Sequence, residues 1–155
     1  MDSDLILYLA QPIIKAFEGL RLSPYLCSAG VPTIGYGSTY YETGVRVKLT
    51  DPTIDEEYAT ALLLGSIKAT YLPSMIAACP GLETEGQAAA ILSWTYNLGV
   101  GNLRASTLRR KINAKDWEGA GQEILKWNKA AGKVSRGLTV RRRAEAKLFL
   151  DNSPK

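Results

Sequence analysis

The chain has 155 residues, no histidine, two cysteines and a formal net charge of +4. Without histidine, Ser–His and Cys–His nucleophilic mechanisms and His-bearing zinc sites are excluded, and two thiols are too few for a structural zinc. With 46% apolar and 22% charged residues the chain is a soluble globular type, long enough to bury roughly 70% of its unfolded surface without metal or disulfide support.

The charge is polarised. Residues 1–103 hold five Lys/Arg against ten Asp/Glu, net −5, whereas residues 104–155 hold fourteen against five, net +9. A basic half is either a solvated face or an attraction to a polyanion. No nucleic-acid motif accompanies it and few aromatic residues interleave it, so nucleic acid is not an expected partner. Cys27 and Cys79 permit one internal disulfide at most and do not define a secreted scaffold.

In chain order, residues 3–18 predict a helix, with Ser3 as N-cap candidate, apolar positions Ile6, Leu9, Ile13, Ile14 and Phe17, and Gly19 as stop. Pro12 predicts a break or a second start within it. The apolar patch Leu5–Ala10 is too short to span a membrane and lacks the basic start and cleavage site of a signal peptide. The expectation is a chain with no signal peptide or transmembrane segment.

From Leu20 to Lys48, dense Gly, Pro, Thr, Tyr and Val predict a small antiparallel sheet. Thr53-Ile54-Asp55-Glu56 reads as a capping box opening a helix through Tyr71, with Pro73 ending it or beginning another. Thr84-Glu85-Gly86-Gln87 is a second capping box, before the apolar run Ala88–Trp94 at the centre of the larger core. Three shorter helices are expected near 104–112, 115–129 and 138–150, interrupted at Asn113, Gly132 and Gly137. The class is α+β, with a sheet-bearing small lobe, a helical lobe and a cleft between them.

Glu18 closes the first helix, Cys27 follows nine positions on, and Thr33 opens Thr33-Ile34-Gly35-Tyr36-Gly37. Taken alone, an acid at a helix end with a thiol and a hydroxyl on a Gly-rich hairpin is either a site or an accident of a polar surface. The string from Glu18 to Gly37 resembles the phage lysozyme family of muramidases, glycoside hydrolase family 24. Further similar blocks are Trp94-Thr95-Tyr96-Asn97-Leu98-Gly99-Val100-Gly101, Ser106-Thr107-Leu108 and Gly137-Leu138-Thr139-Val140-Arg141-Arg142-Arg143-Ala144-Glu145. They occur in the family's order and cover about residues 15–150.

The resemblance implies a lysozyme-like two-lobed fold in one domain: a small lobe at about 15–52, a linking helix at about 54–72, and a helical lobe at about 74–150 joined by the N-terminal helix. It implies an endolysin that hydrolyses the β-1,4 bond between N-acetylmuramic acid and N-acetylglucosamine in peptidoglycan, without cofactor or metal. Glu18 would be the general acid and Thr33 would hold the attacking water. Cys27 stands where the family most often has Asp, and an ordinary thiol is a poor base unless its surroundings favour the anion.

By the same resemblance Arg141 matches the Arg that pairs with the catalytic Glu, with Arg136 and Arg142 as alternatives; at least two of Arg141–Arg143 are expected on a solvated face. Tyr96, Thr107, Thr39 and Gln122 or Glu123 lie at or near sugar-contacting positions. Tyr96 would stack on a sugar ring or pack under Trp94, and Cys79 reads as core. The implied setting is a monomer without stable membrane insertion, held in the host cytoplasm until a separate pore-former, a holin, opens the membrane. The rival readings are a lytic transglycosylase and a catalytically impaired wall-binding protein.

Overall fold

The computed structural model describes residues 1–155 and divides into two compact units. One unit joins Met1–Phe17 to Tyr71–Lys155, and the other is Glu18–Thr70.

Helix α1 runs unbroken over Ser3–Glu18, with Pro12 inside it. The expected break is absent: Pro12 and Tyr8 lie on the exposed face, so losing the hydrogen bond from Pro12 to the Tyr8 carbonyl leaves no buried backbone group unpaired. Its start is capped by Asp2 rather than Ser3: Asp2 Oδ1 accepts from the backbone N–H of Asp4 at 3.0 Å and of Leu5 at 3.2 Å. Gly19 then turns the chain at φ 73°, a conformation that suits glycine at a helix C-terminus.

In the Glu18–Thr70 unit, β1 (Arg21–Leu26) pairs antiparallel with β2 (Pro32–Gly35), with Tyr25 opposite Thr33 and Leu26 opposite Pro32. The register shifts between Arg21 and Tyr25, where Pro24 has no N–H for the ladder. Helix α2 (Glu56–Ser66) is capped by Asp55, whose Oδ1 accepts from Tyr58 N at 2.7 Å, so the expected Thr53 start moves two residues on. Ile34, Val47 and Leu62 form the buried centre, with Tyr41 and Ile54 against it. Gly35 takes φ +68°, and a Cβ built there would lie 3.2 Å from the Ala59 Cβ of α2. The β2 backbone is therefore seated on α2, and Tyr36 adds a hydrogen bond to Glu56 Oε1 at 3.2 Å.

The expected helix to Tyr71 ends its α-form at Ser66. A π-helical turn, Ile67–Tyr71, leads into α3 (Leu72–Ala78), with Pro73 in its first turn. Pro73 has no N–H for the carbonyl four residues back, and the wider turn absorbs that mismatch. The 23-residue stretch Glu56–Ala78 is long and apolar enough to cross a membrane by length and composition, a property the sequence reading did not assign. Its buried side chains, among them Leu62, Leu63, Ile67, Leu72 and Met75, sit in the protein core.

In the other unit, α4 (Glu85–Leu98) opens with the expected capping box, Thr84 accepting from Gln87 N and Gln87 accepting from Thr84 N. Its residues from Gly86 to Thr95 are buried on every face, as an all-round apolar helix requires. Short helices α5 (Val100–Ala105) and α6 (Thr107–Asn113) replace the single helix expected near 104–112, because Ser106 breaks the chain and caps α6. Helix α7 (Trp117–Leu125) stops before the expected residue 129. A two-stranded hairpin follows, β3 (Lys129–Ala130) and β4 (Lys133–Val134), turning through Ala131 and Gly132 at φ 52° and 78°. Helix α8 (Arg136–Asp151) starts at its Ser135 cap, and Gly137 lies inside it rather than interrupting it.

Candidate active site

Glu18 is the last residue of α1 and is partly exposed. Two residues beyond Gly19, the chain enters β1, and the β1–β2 register determines which side chains share a face. Tyr25 and Thr33 are directly opposite, so they project to the same side, and Cys27, two residues past Tyr25, joins them there. Thr33 is buried and Cys27 partly exposed.

The turn after β1 surrounds the Cys27 thiol with donors. Gly30 N donates to Cys27 O at 2.8 Å and Cys27 N to Val31 O at 3.1 Å, closing the loop. The backbone N–H of Val31 contributes most, and that of Ala29 next, to holding the thiol below its ordinary range, and burial opposes them. Hydrogen bonds to the anionic form stabilise it, so the loop biases the Cys27 thiol toward the thiolate. Thr33 Oγ1 donates its one hydrogen to Val31 O at 2.8 Å, which fixes its rotamer.

Tyr25 carries no weight in the sequence reading, yet it stands among these groups. Burial raises its phenol above the ordinary value, and the charges of Glu18 and Cys27 raise it further, while Arg21 pulls the other way. The Arg21 guanidinium lies over the Tyr25 ring at 4.4 Å from its centroid, a cation–π geometry. The available signal was the strand period: Tyr25 is two residues before Cys27. Thr39 is partly exposed, and its carbonyl accepts from Val47 N at 2.9 Å.

In the other unit, Arg141 and Arg142 are buried at 3% and 0% exposure, and only Arg143 is exposed, so the expected solvated face holds one of the three. The reason is Glu145, one turn on and fully buried. Its Oε2 accepts from Arg141 Nε at 3.2 Å and from Ser93 Oγ at 2.5 Å, while its Oε1 lies 3.2 Å from Arg142 Nε. Arg141 also donates to the Ser93 carbonyl at 3.0 Å, and Arg142 donates to Asn97 Oδ1. Burial pushes the Glu145 carboxyl up, with Arg142, Ser93 and Arg141 pulling it down. The Arg141 guanidinium lies 5.9 Å from the ring centroid of Phe17, the residue before Glu18 in the chain. Arg136 is exposed at the start of α8.

Tyr96 is partly exposed and packs against Tyr71, ring centroids 5.0 Å apart. Trp94 meets Trp127 edge-on, ring centroids 5.2 Å apart. Thr107 opens α6, and its Oγ1 accepts from Arg110 at 2.8 Å. Glu123 holds Lys126 at 2.7 Å and Gln122 is exposed. Cys79 is buried, and burial pushes its thiol up to about 11; both cysteines are free.

The sequence profile of the phage lysozymes matches residues 15–145. The chain belongs to the phage lysozyme family. It is 39% identical over 142 residues to the endolysin of Acyrthosiphon pisum secondary endosymbiont phage 1, covering 88% of this chain and 92% of that protein. With the endolysin of Bacillus phage B103 it shares 38% identity over 148 residues, 92% of this chain and 53% of the relative. The chain thus spans about half the length of that relative. The solved endolysin of Escherichia coli O157:H7 phage FAHEc1 superposes with a TM-score of 0.82 at 36% identity, covering 95% of this chain and 94% of the other. The fold is lysozyme-like, mixing helices with a small antiparallel sheet.

Proposed function

We propose that the protein is a peptidoglycan hydrolase of the endolysin type, a lysozyme that cleaves the β-1,4 bond between N-acetylmuramic acid and N-acetylglucosamine. The observation that carries this reading is the match of residues 15–145 to the phage lysozymes, a stretch that holds Glu18, Cys27 and Thr33 at the spacing the family uses. Glycoside hydrolysis by inversion needs an acid for the leaving oxygen and a base for water on the opposite face of the sugar. Glu18 gives its proton to the glycosidic oxygen as that bond breaks. Water, held by Thr33 and Cys27, adds its oxygen to the anomeric carbon and passes a proton to the thiolate. Exchange with solvent then returns Glu18 to the acid and Cys27 to the anion.

Arg141 acts as support, pairing with Glu18. Its anchors on Ser93 and Glu145 and its place over Phe17 favour that role. Thr39, Tyr96, Thr107 and Glu123 are proposed to contact the glycan chain. Peptidoglycan is the partner, the active form is a monomer, and release from the host cytoplasm to the wall depends on a separate membrane pore-former. The relatives' endolysin names support lysis of a phage host as the setting.

Mass spectrometry of fragments released from purified peptidoglycan tests the reading, comparing the wild type with Glu18→Gln. The expected products are fragments with reducing-end muramic acid from the wild type and none from the variant. Anhydro-muramic products would instead establish a lytic transglycosylase. Binding without release by the wild type would make the chain an impaired wall-binding protein.

A further inference from the structure

Between Glu123 and Glu145 the chain carries no acidic residue and seven basic ones, Lys126, Lys129, Lys133, Arg136 and Arg141–Arg143. Arg141 and Arg142 turn inward to Glu145, and Lys126 pairs with Glu123. Lys111, Lys115 and Lys147 of the same unit also meet carboxylates. Lys129, Lys133, Arg136 and Arg143 are exposed and meet none. The first three of these are grouped on or beside the β3–β4 hairpin. Lys129 is opposite Val134 and Ala130 opposite Lys133, so each face of the ribbon carries one lysine. Every residue from Lys129 to Val134 is exposed, so the hairpin adds nothing to the core. It is held at its base, where Ser135 N donates to Asn128 O at 2.8 Å and Asn128 Nδ2 to Thr139 Oγ1 at 3.1 Å.

An ordered, solvated hairpin with uncompensated cations on both faces is complementary to an anionic partner. The chemistry of the segment narrows which one. Its single aromatic, Trp127, is partly buried against Trp94, so no ring is free to stack on a base. The tip, Ala131–Gly132, has no large apolar side chain to enter a bilayer. Carboxylates remain, and the polymer of the hydrolase reading carries them on the short peptides attached to its muramic acid. We propose that Lys129, Lys133 and Arg136 bind the carboxylates of these peptide stems, so that the hairpin holds the stems while the glycan is cleaved. The hairpin leads directly into α8 through Ser135, and Arg141, assigned above to support Glu18, lies six residues on, about 9 Å along the helix axis. The choice of polymer rests on the hydrolase reading; the binding itself does not need cleavage.

The test is co-sedimentation of the full chain, in the Glu18→Gln background that spares the polymer, with sacculi freed of lipid and teichoic acid. Three forms are used: intact sacculi, sacculi whose carboxyls are blocked as amides, and glycan stripped of its stems by an amidase. The triple variant Lys129→Gln/Lys133→Gln/Arg136→Gln is set against Lys48→Gln/Lys68→Gln/Lys155→Gln, which removes the same charge from exposed positions elsewhere. On intact sacculi the hairpin variant is expected to bind about tenfold more weakly at low salt, the sum of three exposed charge pairs, with the control variant and the melting temperature unchanged. On blocked or stem-free polymer the hairpin and control variants should bind alike. Equal losses in the two variants would make net charge the cause and overturn the proposal. So would an equal loss on stem-free glycan, or a loss seen only with phosphatidylglycerol vesicles. With Glu18 restored, the hairpin variant should raise KM on stem-bearing polymer and leave kcat unchanged. If the wild type cleaves nothing while the binding difference persists, the hydrolase reading fails and the stem-binding hairpin stands.

Discussion

Replacing Glu145 by Gln removes a carboxylate that bridges two buried arginines while keeping volume and shape. Wild-type Oε2 serves Ser93 at 2.5 Å and Arg141 at 3.2 Å, and Oε1 lies 3.2 Å from Arg142. In the variant one oxygen becomes an amide that donates toward a guanidinium, and both arginines, at 3% and 0% exposure, stay charged in the interior. Breaking a buried ion pair on one side costs about 3–5 kcal/mol, a large part of the roughly 5–15 kcal/mol that holds a domain together. At about 2–4 °C per kcal/mol for a chain of this size, melting should fall by some 6–20 °C. Urea unfolding by circular dichroism measures the loss, with Lys147→Ala as the control on the same helix. The Lys147–Asp151 pair is exposed at 76% and 59%, so that change should stay within about 0.5 kcal/mol. A Glu145→Gln variant within about 1 kcal/mol of wild type would refute the account of the network as a mutually dependent unit.

The two thiols should titrate far apart: Cys27 reacts with iodoacetamide below the pH range of a free thiol, and Cys79, raised to about 11 by burial, reacts only on unfolding. Peptide mapping after alkylation at neutral pH reads this, and equal labelling would contradict it. Thr33→Val removes the hydroxyl proposed to hold the attacking water and leaves the Val31 carbonyl satisfied by Cys27 N; fragment release should slow about tenfold. Gly35→Ala should destabilise more than Gly44→Ala in urea titration. Both sit at positive φ, a cost of roughly 1–2 kcal/mol, but only Gly35 would press a Cβ on Ala59 at 3.2 Å, with nothing within 4 Å at Gly44.

Signals carried by local chemistry were legible. The Thr84–Gln87 box, the Gly19 stop and the all-round apolar α4 each follow from a few adjacent residues and appear as read. What failed depends on distant partners. Three consecutive arginines read as a solvated face because Ser93 and Asn97, their partners on α4, lie more than forty residues away. The β3–β4 hairpin escaped because its strands are two residues long and Ala131, rather than Asn or Gly, takes the first left-handed turn position. At the candidate site, the adjacency of Cys27 and Thr33 was expected only in outline, since the register slip after Arg21 is not visible in composition or period.

Cys27 is where position and chemistry part, and the loop geometry resolves what each supplies. A carboxylate is an anion at any working pH, with an unperturbed pKa near 3.9 for Asp; a thiol becomes one only through its surroundings. Here the Val31 and Ala29 N–H groups supply that bias, and the same donors would receive an aspartate. Cys27→Asp should therefore retain fragment release and move its pH optimum downward, because the group accepting the water proton then ionises at lower pH than the thiol. Cys27→Ala keeps the turn's backbone hydrogen bonds but has no base, and release should collapse. The pH–rate profile of the Asp variant is the deciding measurement. An optimum that stays at the wild-type pH would mean that ionisation of residue 27 does not limit the reaction, and that Glu18 and Thr33 act without it.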